Sequence, residues 1–120
     1  MKIAISSSAG NLDAEVDPRF GRAACFLLVD SETMDFVVLE NQQNYQAAQG
    51  AGIQAATLVA RHKPAAVLTG HCGPKAFEVF RWAGIPVVVG VSGRVRDAVD
   101  KFLGDGFTPA SSADVAGHWG

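Results

Sequence analysis

The chain of 120 residues is poor in the side chains that most often bind metal ions, because it holds only two cysteines and three histidines. Cys25 and Cys72 are far apart in sequence and form no CxxC pair, which argues against a disulfide framework and against a four-thiolate zinc site. A closed tetrahedral site would need almost all of these ligands from separated segments. We therefore expect no conventional metal centre, and only Cys72 and His71 remain as candidate metal ligands.

Long apolar runs and an excess of positive charge are also missing. No apolar stretch approaches the length of a membrane span, and the start, MKIAISSSAG, is too short in its apolar run for a signal peptide. The formal net charge is -2, whereas domains that bind nucleic acid usually carry a basic surface. We expect a cytoplasmic protein that binds neither membranes nor nucleic acid, with any positive patch confined to one place.

Length and composition favour a single domain. With 48% hydrophobic and 18% charged residues, the chain is apolar enough to fold, and its length suffices for one hydrophobic core but not for two. After residue 104 the sequence is small and polar except for Phe107, Val115 and Trp119. We predict one α/β domain over residues 1–104 and a mobile C-terminal tail over residues 105–120.

Five short runs rich in apolar and β-branched residues predict strands, and three longer segments predict helices. The strands are expected at residues 2–6, 25–30, 36–40, 65–69 and 86–90. The helices are expected at residues 47–62, 74–83 and 94–103. Residues 31–35 form a short turn, so strands 2 and 3 make a hairpin, while the parallel strands are joined by right-handed helical crossovers.

This order of elements predicts a three-layer α/β domain with helices on both faces of a mixed five-stranded sheet of order 3-2-1-4-5, in which strand 2 is antiparallel. Strand 1 then lies beside strand 4, and the chain winds away from this pair in opposite directions. In open α/β sheets, ligands bind at such a switch point, outside the carboxyl ends of the strands.

The loops that follow strands 1, 4 and 5 should meet at this switch point. They bring several cationic side chains and two helix N-termini together, and the unpaired N–H groups of helix N-termini favour an anion. Glycines in these loops would let the backbone approach a large ligand. The candidate ligand-binding residues are Ser7, Ser8, Arg19, Phe20, Arg22, Gly70, His71, Cys72, Gly73, Lys75, Gly93 and Arg94.

Some of these residues also have a purely structural interpretation. Arg19 and Arg22 could instead pair with Asp13 and Asp17, and Phe20 could cap the core. No residue is predicted to be catalytic, because adjacent residues such as His71 and Cys72 seldom reach a productive mutual geometry. The sequence therefore indicates a binding site for an anionic ligand.

Several segments are distinctive when taken together, namely IAIS (3–6), DPRFGRAACFLLVD (17–30), GAGIQAA (50–56), GHCGPKAFEVF (70–80), AGIPVVVG (83–90) and ADVAGHW (113–119). Through these segments the chain resembles the dinitrogenase iron-molybdenum cofactor biosynthesis family over nearly its full length. The resemblance implies a ribonuclease H-like fold and the binding of preformed metal–sulfur clusters.

The resemblance also implies a ligand and partners. The chain resembles throughout a subgroup of the family from sulfate-reducing bacteria. For that subgroup the implied ligand is an anionic molybdenum–copper sulfide cluster held noncovalently. In nitrogenase-associated members it is a precursor of the iron–molybdenum cofactor. The implied protein partners belong to cluster delivery or to a cell division complex. The expected function is that of a non-enzymatic cluster carrier.

Three other functions are weighed against this one. A ribonuclease H-type nuclease needs carboxylates on strands 1 and 4, whereas KIAIS and AAVLT contain none. An enzyme that acts on a small phosphorylated substrate through Cys72 or His71 stays open. So does a regulatory interaction module with Trp82 and the tail at the contact.

Overall fold

The structure, a computed structural model, describes residues 1–41 and 51–104 of the chain. The strands within these residues are β1 (Lys2–Ser7), β2 (Cys25–Asp30), β3 (Phe36–Glu40), β4 (Ala66–Leu68) and β5 (Val87–Val88). The helices are α1 (Ala51–Ala60), α2 (Pro74–Ala83) and α3 (Val95–Gly104). Residues 47–50 of the first predicted helix, and the tail over 105–120, lie outside the described residues.

The sheet has the order β3-β2-β1-β4-β5, as predicted. β2 is antiparallel to both β1 and β3, whereas β1, β4 and β5 are mutually parallel. The carboxyl ends of β1, β4 and β5 therefore lie at the same edge of the sheet, which we call the carboxyl edge. β4 and β5 are shorter than their apolar runs. For β5, Gly90 with a φ of +75° turns the chain after the strand, and Pro86 before it has no N–H to donate.

Side chains that alternate along the strands divide the core of this single domain into two parts, one on each face of the sheet. Ala4, Phe26 and Val67 belong to the core that is covered by α1 and α2. Ile3 and Leu27 belong to the core that is covered by α3. The result is the predicted three-layer arrangement, with helices on both faces. No helix in the described ranges is long and apolar enough to cross a membrane.

Candidate functional site

The 17–24 loop, which leads into β2, crosses the carboxyl ends of β1 and β4. The Asp17 N–H donates to the Ser6 carbonyl at 2.9 Å, and the Phe20 N–H donates to the His71 carbonyl at 3.1 Å. Arg19 and His71 are paired as an isolated parallel β-bridge. The predicted convergence of the DPRFGR and GHCGPK segments is therefore present in the backbone itself.

A buried pair of hydroxyl groups connects this loop to β1 and to the residue that follows β4. Ser6 Oγ donates to the Asp17 carbonyl at 2.8 Å, and Ser6 Oγ and Thr69 Oγ1 lie 2.8 Å apart. Because the single Ser6 proton goes to Asp17, Thr69 is the donor within the pair. Both side chains are fully buried. Neither residue is among the predicted ligand-binding residues, although each is a hydroxyl residue at the end of a predicted apolar strand, which was the available signal.

Gly70, which follows β4 in the chain, is in close contact with the 17–24 loop. A Cβ atom at Gly70 would lie 2.7 Å from both the Cα and the carbonyl oxygen of Pro18, which is too short for any side chain. Glycine was predicted here so that the backbone could approach a ligand. In the structure, Gly70 is needed because the 17–24 loop packs directly against it.

Phe20 and Asn41 anchor the 17–24 loop to the interior of the protein. The Phe20 ring is fully buried and lies 4.8 Å from the Phe26 ring and 5.3 Å from the Phe80 ring, measured between centroids. Asn41 Nδ2 donates to the carbonyls of Ala23 at 2.8 Å and Gly21 at 3.5 Å. Because these contacts involve Phe20 and Gly21 before Arg22 and Ala23 after it, they fix the backbone at Arg22.

Cationic residues and a helix N-terminus share this edge. Arg19, His71 and Lys75 are exposed, and Arg22 is half-buried. Lys75 is the second residue of α2, whose N-cap Gly73 provides no side-chain hydrogen bond. The N–H groups of the first turn have no partner within the helix and carry partial positive charge. The edge therefore offers both charge and donors to an anion.

Arg94 lies at the same edge but already has carboxylate partners. Its guanidinium is 3.0 Å from the Asp97 carboxylate and 4.0 Å from that of Asp13. The neighbouring Gly93 has a φ of +90°, and its carbonyl accepts the Val16 N–H at 2.8 Å. In this structure, both residues brace the connection between β1 and the 17–24 loop.

The two serines predicted to bind the ligand, Ser7 and Ser8, differ in their exposure to solvent. Ser7 is buried and donates from Oγ to the Ala9 carbonyl at 2.6 Å. Ser8 is exposed, and its N–H donates to the Glu15 carbonyl at 3.0 Å. The Ser8 hydroxyl is therefore the one that a ligand at this edge could reach.

The two cysteines are buried on opposite faces of the sheet. Cys72 is fully buried beside α2, and its thiol lies 3.7 Å from the Gly73 carbonyl. Cys25 belongs to the core beneath α3. Burial raises the pKa of the Cys25 thiol, and the nearby carboxylates of Glu40 and Asp17 raise it further. No three His, Cys, Asp or Glu side chains cluster as metal ligands within the two described stretches.

This placement does not fit direct ligand contact by the side chains of Cys72 and Phe20. Consecutive residues of an extended segment point to opposite sides, and here His71 is exposed while Cys72 faces the core. An enzyme that uses Cys72 as a nucleophile would need that thiol at the surface. We therefore assign Cys72 and Phe20 to the core that supports the site.

An apolar groove runs along α2 from the carboxyl edge. Its volume is about 390 Å³, and its lining consists of Ile53, Pro74, Lys75, Glu78, Val79 and Trp82. Trp82, named above as a possible protein contact, is 83% exposed. Because Pro74 and Lys75 begin α2, the groove opens next to the cationic edge.

Comparison with known proteins gives the family. The family model described as dinitrogenase iron-molybdenum cofactor matches residues 1–105. The chain belongs to this family. An uncharacterised protein of Methanocaldococcus jannaschii is 29% identical over an alignment of 106 residues, and the match covers 86% of each chain.

Solved structures share the fold of this family member. The apo form of the orange protein from Desulfovibrio gigas has a TM-score of 0.90 and 39% identity, and the match covers 95% of this chain and 96% of that one. A NifB-like protein from Thermotoga has a TM-score of 0.76 and 28% identity, covering 90% and 91% of the two chains. Family and neighbours together indicate a cofactor-binding or carrier protein.

Proposed function

We propose that this chain is a non-enzymatic carrier of an anionic molybdenum-containing metal–sulfur cluster, of the molybdenum–copper sulfide type, held noncovalently at the carboxyl edge between β1 and β4. The main observation in support is the backbone bridge between Arg19 and His71. It places the cationic 17–24 loop beside the N-terminus of α2.

The chemistry of such a cluster suits the groups at this edge. When sulfide already occupies the coordination positions of the metals, the protein has to supply positive charge and N–H donors rather than thiolates. Arg19, Arg22 and Lys75 supply the charge, and the first turn of α2 supplies donors. At an exposed site each cation contributes roughly 1 kcal/mol or less, so the affinity depends on several of them acting together.

The loop is also held in place before any ligand arrives. Its anchors are Phe20 in the core, the Ser6–Thr69 hydroxyl pair and the contact with Gly70. Preorganisation lowers the entropy that binding must otherwise overcome. The alternative ligand, a precursor of the iron–molybdenum cofactor, would use the same anion-binding groups, with proteins of cluster delivery as partners.

The experiment is anaerobic reconstitution of the purified full chain with copper and tetrathiomolybdate. The proposal predicts visible charge-transfer absorption and bound molybdenum and copper that stay with the protein through gel filtration. A colourless protein without bound molybdenum would contradict it. Competition with the iron–molybdenum cofactor precursor separates the two ligands, and turnover of a phosphoester would favour the enzyme hypothesis instead.

A further inference from the structure

β3 forms one outer edge of the sheet and is apolar along most of its length. Phe36 is 37% exposed and Val37 is 55% exposed. Natural proteins commonly protect such edges with lysine, proline or a bulge, and the strand FVVLE contains neither lysine nor proline. The opposite edge strand, β5, has only two residues. Among the strands of residues 1–41 and 51–104, β3 is therefore the edge strand that is long enough to pair with another strand.

The hydrogen bonds at the two ends of the hairpin show which backbone groups of β3 face outward. The Asp30 N–H donates to the Asp35 carbonyl at 2.8 Å, and the Asn41 N–H donates to the Ala24 carbonyl at 3.3 Å. Hydrogen-bonded pairs alternate along an antiparallel ladder, and the register between these ends is continuous. The residues whose N–H and C=O groups face outward are therefore Phe36, Val38 and Glu40.

These outward groups are arranged symmetrically about Val38. If a second copy of the chain lays its β3 antiparallel with Val38 opposite Val38, Phe36 of each copy faces Glu40 of the other. All three outward residues then form hydrogen-bonded pairs, and each pair exchanges both bonds. The edge is self-complementary, as a two-fold interface requires.

Charge and hydrogen bonding together favour this register over the other antiparallel registers. With Val38 at the centre, Glu40 lies opposite Phe36, and Asp35 lies opposite Asn41, so no acid faces an acid. A register centred on Glu40 sets this carboxylate against itself. A register centred on Phe36 brings Glu40 towards Glu32. Like charges directly opposite destabilise a strand pair, so these two registers are disfavoured. Registers centred on Val37 or Leu39 bring no acids together, but they leave only two hydrogen-bonded pairs within β3 instead of three.

We propose that β3 is the docking edge for a second copy of this chain, in a two-fold antiparallel pairing centred on Val38 that makes one continuous sheet. The two carboxyl edges then point in opposite directions, and both stay open to ligand. Pairing of one five-residue strand falls below the size of a standard stable interface. The dimer is therefore weak and forms as the concentration rises.

The test compares Phe36→Lys with Phe36→Glu by sedimentation equilibrium of the full chain from about 10 μM to about 1 mM. Both variants remove the same apolar side chain, and both place a charge opposite the partner's Glu40. We expect the lysine variant to dimerise at least about tenfold more tightly than the glutamate variant, since the pair occurs twice in the dimer. Circular dichroism of both variants checks that each is folded.

Amide hydrogen exchange gives a second readout that does not need a variant. In the wild-type chain, the amides of Phe36, Val38 and Glu40 should exchange more slowly as the concentration rises, because only these amides gain partners. A chain that stays monomeric up to about 1 mM, or lysine and glutamate variants that associate equally, would overturn the proposal. So would protection of these amides by an unrelated strand peptide while the chain itself stays monomeric.

Discussion

At the scale of single residues, the carboxyl edge is held by polar side chains that are buried. The buried polar side chains of the described residues are Ser6, Ser7, Asn41 and Thr69. Ser6, Ser7 and Asn41 donate hydrogen bonds to backbone carbonyls of the segment that joins β1 to β2, and Thr69 is hydrogen-bonded to Ser6. Because an unsatisfied buried polar group costs about 1–3 kcal/mol, these bonds restrict the loops to one arrangement.

Asn41→Ala tests this restriction. Loss of the donor to Ala23 and Gly21 should lower the free energy of unfolding by roughly 1–3 kcal/mol, because two buried carbonyls lose their partner. Urea denaturation measures the change. The control is Asn11→Ala at an exposed turn, which should change stability by about 0.5 kcal/mol or less. Equal effects of the two substitutions would show that Asn41 does not hold the loop.

Thiol reactivity provides a second test at this scale. Cys72 and Cys25 are buried, and the pKa of the Cys25 thiol is raised by burial, so little thiolate forms at neutral pH. Iodoacetamide should therefore label the folded chain much more slowly than the urea-unfolded chain. Labelling of Cys25 should become faster only when the pH exceeds the usual pKa range of a thiol. Rapid labelling of the native chain near neutral pH would contradict the described burial.

At the scale of elements, the 17–24 loop is fixed to the sheet because it is attached both to β1 and to the segment that follows β4. Its hydrogen bonds reach Ser6 and His71, and its backbone packs on Gly70. The cationic residues of the loop therefore depend on contacts made elsewhere. A change in the segment after β4 that pushes the loop outward should weaken ligand binding without removing any charge.

Gly70→Ala makes that change. The added Cβ would meet the Pro18 backbone at 2.7 Å, and we expect a loss of roughly 1–3 kcal/mol in stability, as for other overpacked sites, together with weaker cluster retention. Gly104→Ala is the matched control, because nothing lies within 4 Å of its Cβ position. Thermal unfolding compares the two variants. A Gly70→Ala protein with unchanged stability would contradict the close contact.

At the scale of the whole molecule, the topology could be predicted because it depends on features that are local in sequence. The hairpin turn, the apolar runs and the amphipathic segments gave the order 3-2-1-4-5, and with it the edge where the loops meet. The family resemblance, now confirmed over residues 1–105, added the class of ligand.

What the sequence did not reveal depends on contacts between distant segments. Whether His71 or Cys72 faces outward depends on how the segment after β4 packs against the sheet, and their order in the chain does not decide it. The pair of Arg94 with Asp97 has helical i,i+3 spacing, but its second partner, Asp13, is far away in sequence. The role of Asn41 likewise arises only when β3 and the 17–24 loop come together.

The central claim is that an anionic cluster binds at the carboxyl edge, and titration of charge variants tests it most directly. The edge variants are Arg19→Ala, Arg22→Ala and Lys75→Ala, and the controls are Arg61→Ala and Lys101→Ala, which lie after or near the C-terminal ends of α1 and α3. Affinity for the cluster formed from copper and tetrathiomolybdate is measured for each variant at several salt concentrations.

We expect each edge variant to bind about fivefold more weakly, equivalent to about 1 kcal/mol, and the controls to bind as the wild type does. Affinity should also fall as salt rises, since charges at an exposed site are screened over about 10 Å at 0.1 M ionic strength. Control variants that lose as much affinity as the edge variants, in protein that remains folded, would place the ligand elsewhere and contradict the account.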